Sequence, residues 1–254
     1  MTADDERIAL FIDFENLALG ARDRGERLDM AVIMEALSER GRVVVRRAYA
    51  DWNLFSEYRA GLVGERIEML EVPQRTGMVR KNAADIKLAV DACELAFQRE
   101  FITTFVIASG DSDFTPLVLK LRELNKKVIG VGVEGSTSEL LPGACDEFLF
   151  YEGLLGRGSG TIPSRRRRRR KPEGGEPPGE PEESISDIAE ISRQVTRTLS
   201  GLQRSTDGSL LSSMIKRALL RKDPTFTEGD YGFRTWGELM QHLASLGVVE
   251  LRTG

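Results

Sequence analysis

Short apolar runs of strand length alternate with stretches of helical periodicity over residues 1–155. Five runs rich in β-branched and aromatic residues predict strands at residues 8–13, 43–50, 67–72, 102–108 and 127–133. The intervening segments repeat apolar residues at helical spacing and predict helices at 29–40, 54–65, 83–99 and 113–125. Strands and helices that alternate in this way build right-handed βαβ units. We therefore expect residues 1–155 to form a three-layer α/β domain around a parallel sheet.

The pattern changes after this domain. Residues 156–184 are rich in Gly, Pro and charged side chains, which cannot build a core, and predict a disordered linker. Residues 185–254 return to helical periodicity, and a capping box from Thr235 to Glu238 predicts the start of a helix. An apolar run at residues 248–251 predicts a short closing strand. Three helices and one strand of this length suggest a small winged-helix-like domain.

Composition excludes several classes of chemistry. The chain of 254 residues has two cysteines without a CxxC motif, and its one histidine is His242. A disulfide framework, a cysteine zinc site and a Ser-His-Asp relay in the first domain are therefore excluded, and a reducing cytoplasm is expected. No apolar run approaches the length of a membrane span. The net charge is −4, which divides into −7 for residues 1–150 and +3 for residues 151–254, so the two parts are expected to meet different partners.

Aspartates stand at the ends of two predicted strands. Asp13 ends the first strand, and Asp111 follows the fourth in the segment SGDSDF, which also contains Asp113. If these strands are neighbours at the switch point of the sheet, Asp13 and Asp111 face each other, and a divalent cation would relieve their repulsion. Asp85 opens a predicted helix at the same edge. The sequence thus predicts Mg²⁺ or Mn²⁺ at Asp13, Asp85, Asp111 and Asp113, although helix capping explains Asp85 and Asp113 individually.

Neighbouring polar residues could support such a site. Asn16 could orient a water or bind the metal ion through its amide oxygen. Ser109 and Ser112 could contact a phosphate group, and Lys81 could neutralise the charge of that phosphate. Each also has a simpler interpretation as a helix cap, a turn residue or a surface lysine. Asp91 lies on another face of the Asp85 helix and is expected to pair with Lys87.

The motifs resemble those of a known family. FIDFENL at residues 11–17, KNAADIKLAVD at 81–91 and ASGDSDFTPLVLKLRELNKKVIGVG at 108–132 look like the NYN domain of the LabA-like group in the PIN-like nuclease superfamily. The resemblance covers about residues 7–152. It implies a parallel sheet ordered 3-2-1-4-5 and an acidic Mg²⁺ site that cuts RNA, with Asp13, Asp85, Asp111 and Asp113 as acids and Asn16 in support. Ala84 replaces the usual valine, a mild departure.

The C-terminal segment resembles the LOTUS, or OST-HTH, domain through its DPTF turn and YGFRTWGEL motif. This resemblance implies a winged-helix module that binds RNA or a protein. The basic residues assigned to backbone contacts, against the alternative of a solvated helix face, are Lys216, Arg217, Arg221 and Lys222. Phe226 and Trp236 are expected in the core, whereas Tyr231 and Phe233 could be either core or stacking residues.

The linker adds a basic arm whose residues could hold an RNA backbone or serve as a solvated spacer: Arg165, Arg166, Arg167, Arg168, Arg169, Arg170 and Lys171. The leading hypothesis is a metal-dependent endoribonuclease with a C-terminal RNA-binding module. The alternative is a catalytically silent RNA-binding adaptor. A phosphatase of the haloacid dehalogenase type is disfavoured, because Glu15 stands where that chemistry needs a second aspartate. A homo-oligomer could complete the site.

Overall fold

The computed structural model describes residues 6–72, 82–159, 183–203 and 210–251. The chain divides into two compact units, Met1–Gly158 and Ser159–Gly254. None of the helices in the described part is both long and apolar enough to cross a membrane.

The first unit is built on a six-stranded parallel sheet ordered 3-2-1-4-5-6. Its strands are β1 (Arg7–Asp13), β2 (Arg42–Ala50), β3 (Glu68–Glu71), β4 (Thr104–Ala108), β5 (Lys127–Gly132) and β6 (Glu147–Phe150). The predicted α/β class and the order of the first five strands are confirmed. The sixth strand was not predicted.

Helices cover both faces of the sheet: α1 (Phe14–Asp23), α2 (Met30–Ser38), α3 (Arg59–Gly64), α4 (Ala83–Gln98), α5 (Thr115–Glu123), α6 (Leu140–Ala144) and α7 (Tyr151–Ser159). Alternate residues of β1 point to opposite faces. Ile8, Leu10 and Ile12 pack with α1, α2 and α7, whereas Ala9 and Phe11 pack with α4 and α5. All five are fully buried, as expected for the central strand of a three-layer fold.

The extra strand is held close to its neighbour by the lack of a side chain at Gly130. A Cβ atom there would overlap the ring of Phe148 on β6. Gly130 therefore lets the aromatic side chains of β6 lie against β5 and extend the sheet beyond the predicted edge.

The second unit is a small helical cluster of α8 (Glu183–Gln203), α9 (Ser212–Lys222) and α10 (Trp236–Ser245). Its core contains Ile191, Val195, Ile215, Leu219, Phe226, Leu239, Met240 and Leu243. The predicted helix start is present, since Thr235 Oγ1 accepts a hydrogen bond from the N–H of Glu238 at 3.2 Å. The capping box is incomplete, because the Glu238 carboxylate accepts the N–H of Arg234 at 2.8 Å and not that of Thr235. Phe226 is buried and Trp236, half-buried, packs on the core, where the indole N–H donates to Ser212.

Two expectations for this region need correction. Residues 248–251 form no strand, because Val248 and Val249 pack on the helical core without a neighbouring strand among the residues described. α7 continues to residue 159 and α8 starts at residue 183, so both ends of the predicted linker are helical. The arginine-rich block at 165–171 lies outside the described residues. Tyr231 and Phe233 are half-buried against the core, which favours the core interpretation.

Candidate active site

The two predicted strand-end motifs lie side by side at the carboxyl edge of the sheet. β1 ends at Asp13, and Ile12 of β1 pairs with Ala108, the last residue of β4. Strands β2 and β3 lie on one side of β1, whereas β4 to β6 lie on the other. The winding of the chain therefore reverses between β1 and β4, and such a crevice is where doubly wound sheets bind ligands.

Asp13 is buried at this crevice and caps helix α1. Its Oδ1 accepts a hydrogen bond from the N–H of Asn16 at 3.3 Å, and its Oδ2 accepts one from the hydroxyl of Ser109 at 2.9 Å. Asp13 is only 7% exposed. Burial, and to a lesser extent the charge of Asp85, raises the pKa of Asp13 from 3.8 to about 7. The hydrogen bonds from Ser109 and Asn16 lower the pKa and only partly offset the cost of ionising this carboxyl.

Two further acids lie in the loop after β4. Asp111 caps a short 3₁₀ turn, Ser112–Phe114, because its Oδ1 accepts the N–H of Asp113 at 2.9 Å. This turn precedes α5, so the helix predicted from residue 113 begins at Thr115. Asp113 is exposed and Asp111 is half-buried. The Asp111 carboxylate is thus fixed by the turn that starts the helix, and Ser112 is half-buried within this turn.

Ser109 and Asn16 tie the two strand ends together. The Ser109 hydroxyl donates to Asp13 and accepts the N–H of Asp111 at 3.1 Å, while the residue is fully buried. The amide oxygen of Asn16 accepts the N–H of Gly110 at 2.8 Å. In this structure Ser109 therefore positions Asp13 and Asp111 and lies too deep to touch a substrate. Asn16 joins the start of α1 to the loop after β4.

Asp85 brings a third element to the site. It lies in the first turn of α4, and its pKa is raised by burial and then by the charges of Asp111, Asp113 and Glu15. Asp85 also raises the pKa of Asp13. Three separate segments therefore present carboxyl groups that repel one another across one crevice.

The carboxylates of these acids are the type of ligand that a hard cation prefers, although they do not surround a cation on all sides. Among the described residues, no three acidic, histidine or cysteine side chains stand close enough to enclose a metal ion. Mg²⁺ keeps several of its waters and commonly binds proteins through one or two carboxylates, so a closed cage is not required. Carboxylate oxygens are its preferred ligands, and a cation would lower the raised pKa values of Asp13 and Asp85.

Asp91 lies apart from this group, as its position along the helix indicated. It is buried, accepts a hydrogen bond from the hydroxyl of Tyr49 at 2.8 Å and pairs with Lys87 at 2.5 Å. The predicted pairing with Lys87 is present. Tyr49, on β2, is a second partner that the sequence pattern did not reveal.

Two polar neighbours of the site were missed from the sequence. Glu15 acts electrostatically on both Asp13 and Asp85, and the amide of Asn82 approaches Asp113 Oδ2 at 3.4 Å. Both lie within quoted motifs, Glu15 in FIDFENL and Asn82 in KNAADIKLAVD, and this position was the available signal. Lys81, predicted to neutralise a phosphate, lies outside the described residues.

Comparison with known proteins agrees with the fold and the motifs. The family model described as NYN domain matches residues 7–152. The chain belongs to the NYN domain family. An uncharacterized protein of Methanocaldococcus jannaschii is 34% identical over 146 residues, which cover 56% of this chain and 54% of that protein. This NYN chain thus spans about half the length of that curated relative.

A solved structure has a similar fold. The crystal structure of a protein of unknown function from Vibrio parahaemolyticus matches with a TM-score of 0.53 and 26% identity, covering 59% of this chain and 96% of that one. Neither relative is described with an activity or a ligand. The NYN domain has a nuclease-like, RNA-related fold, and the family match ends before the second unit.

Proposed function

We propose that this NYN protein, of the LabA-like type, is an endoribonuclease that hydrolyses RNA phosphodiester bonds with Mg²⁺ or Mn²⁺. The observation that carries the proposal is the convergence of Asp13, Asp85 and Asp111 on the crevice between β1 and β4. The electrostatic coupling among these acids, with the chain's one histidine, His242, in the second unit, favours metal-assisted chemistry over nucleophilic catalysis.

The chain's own residues have distinct parts in this mechanism. Asp13, Asp85, Asp111 and Asp113 would hold the cation, which when bound offsets phosphoryl charge and lowers the pKa of a nearby water. Ser109 holds the carboxylate of Asp13 and the backbone of Asp111 in a fixed relation through its two hydrogen bonds. These contacts preorganise the acids before substrate arrives, and such preorganisation is where a protein contributes most to phosphoryl transfer.

The test compares the wild-type protein with Asp111→Asn on labelled single-stranded RNA, with Mg²⁺, with Mn²⁺ and with chelator. Asparagine retains an oxygen that can accept the N–H of Asp113, so the turn is expected to fold. Asp29→Asn is the matched control, because Asp29 is also a capping aspartate but is exposed at the start of α2. Circular dichroism checks that both variants are folded.

We expect metal-dependent cleavage by the wild type and by Asp29→Asn, with a loss of at least about 100-fold in Asp111→Asn. Equal cleavage by Asp111→Asn would remove this residue from the site. RNA binding without cleavage in every reaction would overturn the nuclease and favour the silent adaptor.

For the second unit we propose an RNA-binding role of the LOTUS type, carried by the exposed part of α9. Arg217 and Arg221 are exposed one helical turn apart, where they can reach phosphates. Lys216 instead pairs with the buried Glu228 at 2.6 Å, and Lys222 donates to Thr198 at 2.8 Å. Two of the four predicted basic residues are therefore engaged within the unit, and the other two are exposed on α9.

Replacing Arg217 and Arg221 together by glutamine should weaken RNA binding several-fold and lower its salt dependence by about two counterions. Binding is measured by fluorescence anisotropy at several salt concentrations. An unchanged affinity and salt slope would contradict the assignment and favour a protein partner for this unit.

A further inference from the structure

An arginine-lined groove of about 580 Å³ lies on the first unit, at the beginning of β2. Its wall contains Arg42, Arg46 and Arg66, together with Ser38 and the side chain of Val44. No acidic side chain lines it among the described residues. We call this feature the arginine groove.

The groove exists because β3 is short. β3 pairs only with the last part of β2, from Arg47 opposite Glu68 to Ala50 opposite Glu71. The first half of β2 therefore has a neighbouring strand on one side only, at β1. The missing partner leaves a concave surface beside the strand.

Arg46 closes the floor of this surface. Its guanidinium donates to the carbonyl of Glu65 at 3.1 Å and to that of Val43 at 3.4 Å. Its Nε–H is buried without a hydrogen-bond partner in the described part of the chain. A buried unpaired donor is costly, and a phosphate oxygen is a strong acceptor for an arginine N–H.

Arg66 reaches the groove from an unusual backbone position. It follows helix α3 with φ of 56°, and the N–H groups of Arg66 and Ile67 bond back to the carbonyls of Val63 and Leu62 at 3.0 and 2.9 Å. Glycine is the usual residue at this left-handed helix end, and another residue costs about 1 kcal/mol. The chain thus places an arginine where glycine would be locally more stable, which points to a use for the side chain.

Arg42 and Arg66 are both exposed, and among the described residues no acidic side chain lines the groove beside them. Their positive charges are therefore free to meet an anion from solution. Guanidinium groups bind phosphate in a bidentate manner and with little desolvation cost.

We propose that the arginine groove binds phosphate groups of the RNA strand at a distance from the cleavage site. The inference rests on the proposed nuclease function. Arg42 begins β2 and Ala50 ends it at the catalytic edge, a distance of about 26 Å at about 3.3 Å per residue. An RNA must be long enough to span this distance before it can fill both sites, so the groove selects for longer strands.

The test uses Arg66→Gly, which removes the charge and relieves the backbone strain together. The matched control is Arg22→Ala, which removes one exposed arginine from α1 outside the groove. Binding is measured by anisotropy with Ca²⁺ in place of Mg²⁺, so that a cation still offsets the acids, on a long RNA and on an RNA too short to span 26 Å. Urea unfolding and cleavage rates are measured on the same proteins.

We expect Arg66→Gly to bind the long RNA about fivefold more weakly, with a salt slope lower by about one, while its stability is equal or higher. The loss should be smaller for the short RNA, because only the long strand can occupy the groove and the cleavage site together, and Arg22→Ala should behave like the wild type on both. Equal binding of the long RNA by Arg66→Gly and wild type would overturn the groove. Failure of the nuclease proposal would appear separately, as wild-type protein that binds RNA but does not cleave it.

Discussion

Asp13→Asn should stabilise the metal-free protein, and the gain should grow with pH. Asp13 ionises at about 7 in the folded protein against an ordinary value of 3.8, because its carboxyl is buried beside other acids. Between these two pKa values the unfolded chain has lost the proton that the folded protein still holds. The free energy of unfolding therefore falls as pH rises through this window and levels off above pH 7.

The magnitude follows from the shift. At about 1.4 kcal/mol per pKa unit, ionising Asp13 costs the folded state about 4 kcal/mol relative to the unfolded chain once the pH exceeds 7. Only about 1.5 kcal/mol of this penalty is present at pH 5. Asparagine has no charge to ionise and can still accept the N–H of Asn16. The stabilisation by Asp13→Asn should thus rise by about 2.5 kcal/mol between pH 5 and pH 8.

Urea unfolding followed by the emission of Trp52 measures this difference. Trp52 is buried, and its ring lies 5.1 Å from that of Phe14, which follows Asp13 directly. A Trp236→Phe background removes the other tryptophan, which belongs to the second unit. Asp29→Asn is the control, since it makes the same substitution at an exposed helix cap, that of α2.

A gain in Asp13→Asn that is the same at pH 5 and pH 8 would refute the burial argument. A loss of stability at both pH values would show that the carboxylate is satisfied by contacts that asparagine cannot make.

Three further outcomes are expected. Tyr49→Phe removes the buried hydrogen bond to Asp91 and should cost about 1–3 kcal/mol in urea unfolding, with RNA cleavage retained. Gly110→Ala should lower both stability and cleavage, because its Cβ would lie 2.8 Å from Thr137 Cα and push the loop that carries the acids; thermal unfolding and the RNA assay measure the two effects. Deletion of residues 165–171 should weaken RNA binding and flatten its salt dependence in anisotropy, and an unaltered slope would show the segment to be a spacer.

The sheet was predictable because its central strands are fully buried and read as continuous apolar runs. β6 was not, since it has four residues and passes directly into α7 at Tyr151. α1 was not predicted although its buried residues Phe14, Leu17, Ala18 and Ala21 have helical spacing, because its first turn contains the polar residues Glu15 and Asn16. The apolar run at 248–251 was wrongly predicted as a strand, because strand propensity does not produce a strand where the described residues offer no partner strand.

The acids of the site could be predicted from the sequence, whereas the hydrogen bonds that hold them could not. Strand ends and helix starts place Asp13, Asp85 and Asp111 at one edge by topology alone. The bond from Ser109 to Asp13 crosses from β4 to β1 over 96 positions of sequence. No local pattern encodes such a pair, so Ser109 could be named as a candidate but could not be assigned its positioning role.

Asp13 and Arg66 are two positions where the chain departs from the residue that local structure favours. A neutral cap would serve α1 without the ionisation penalty, and glycine would suit the left-handed end of α3. Both departures leave a charge that no described side chain of opposite sign neutralises, negative at the carboxyl edge and positive at the start of β2. Proteins give up local stability in this way chiefly at functional sites. A cation between the acids and a phosphate on the arginines would each remove one of these costs, and an RNA strand with its divalent ion supplies both.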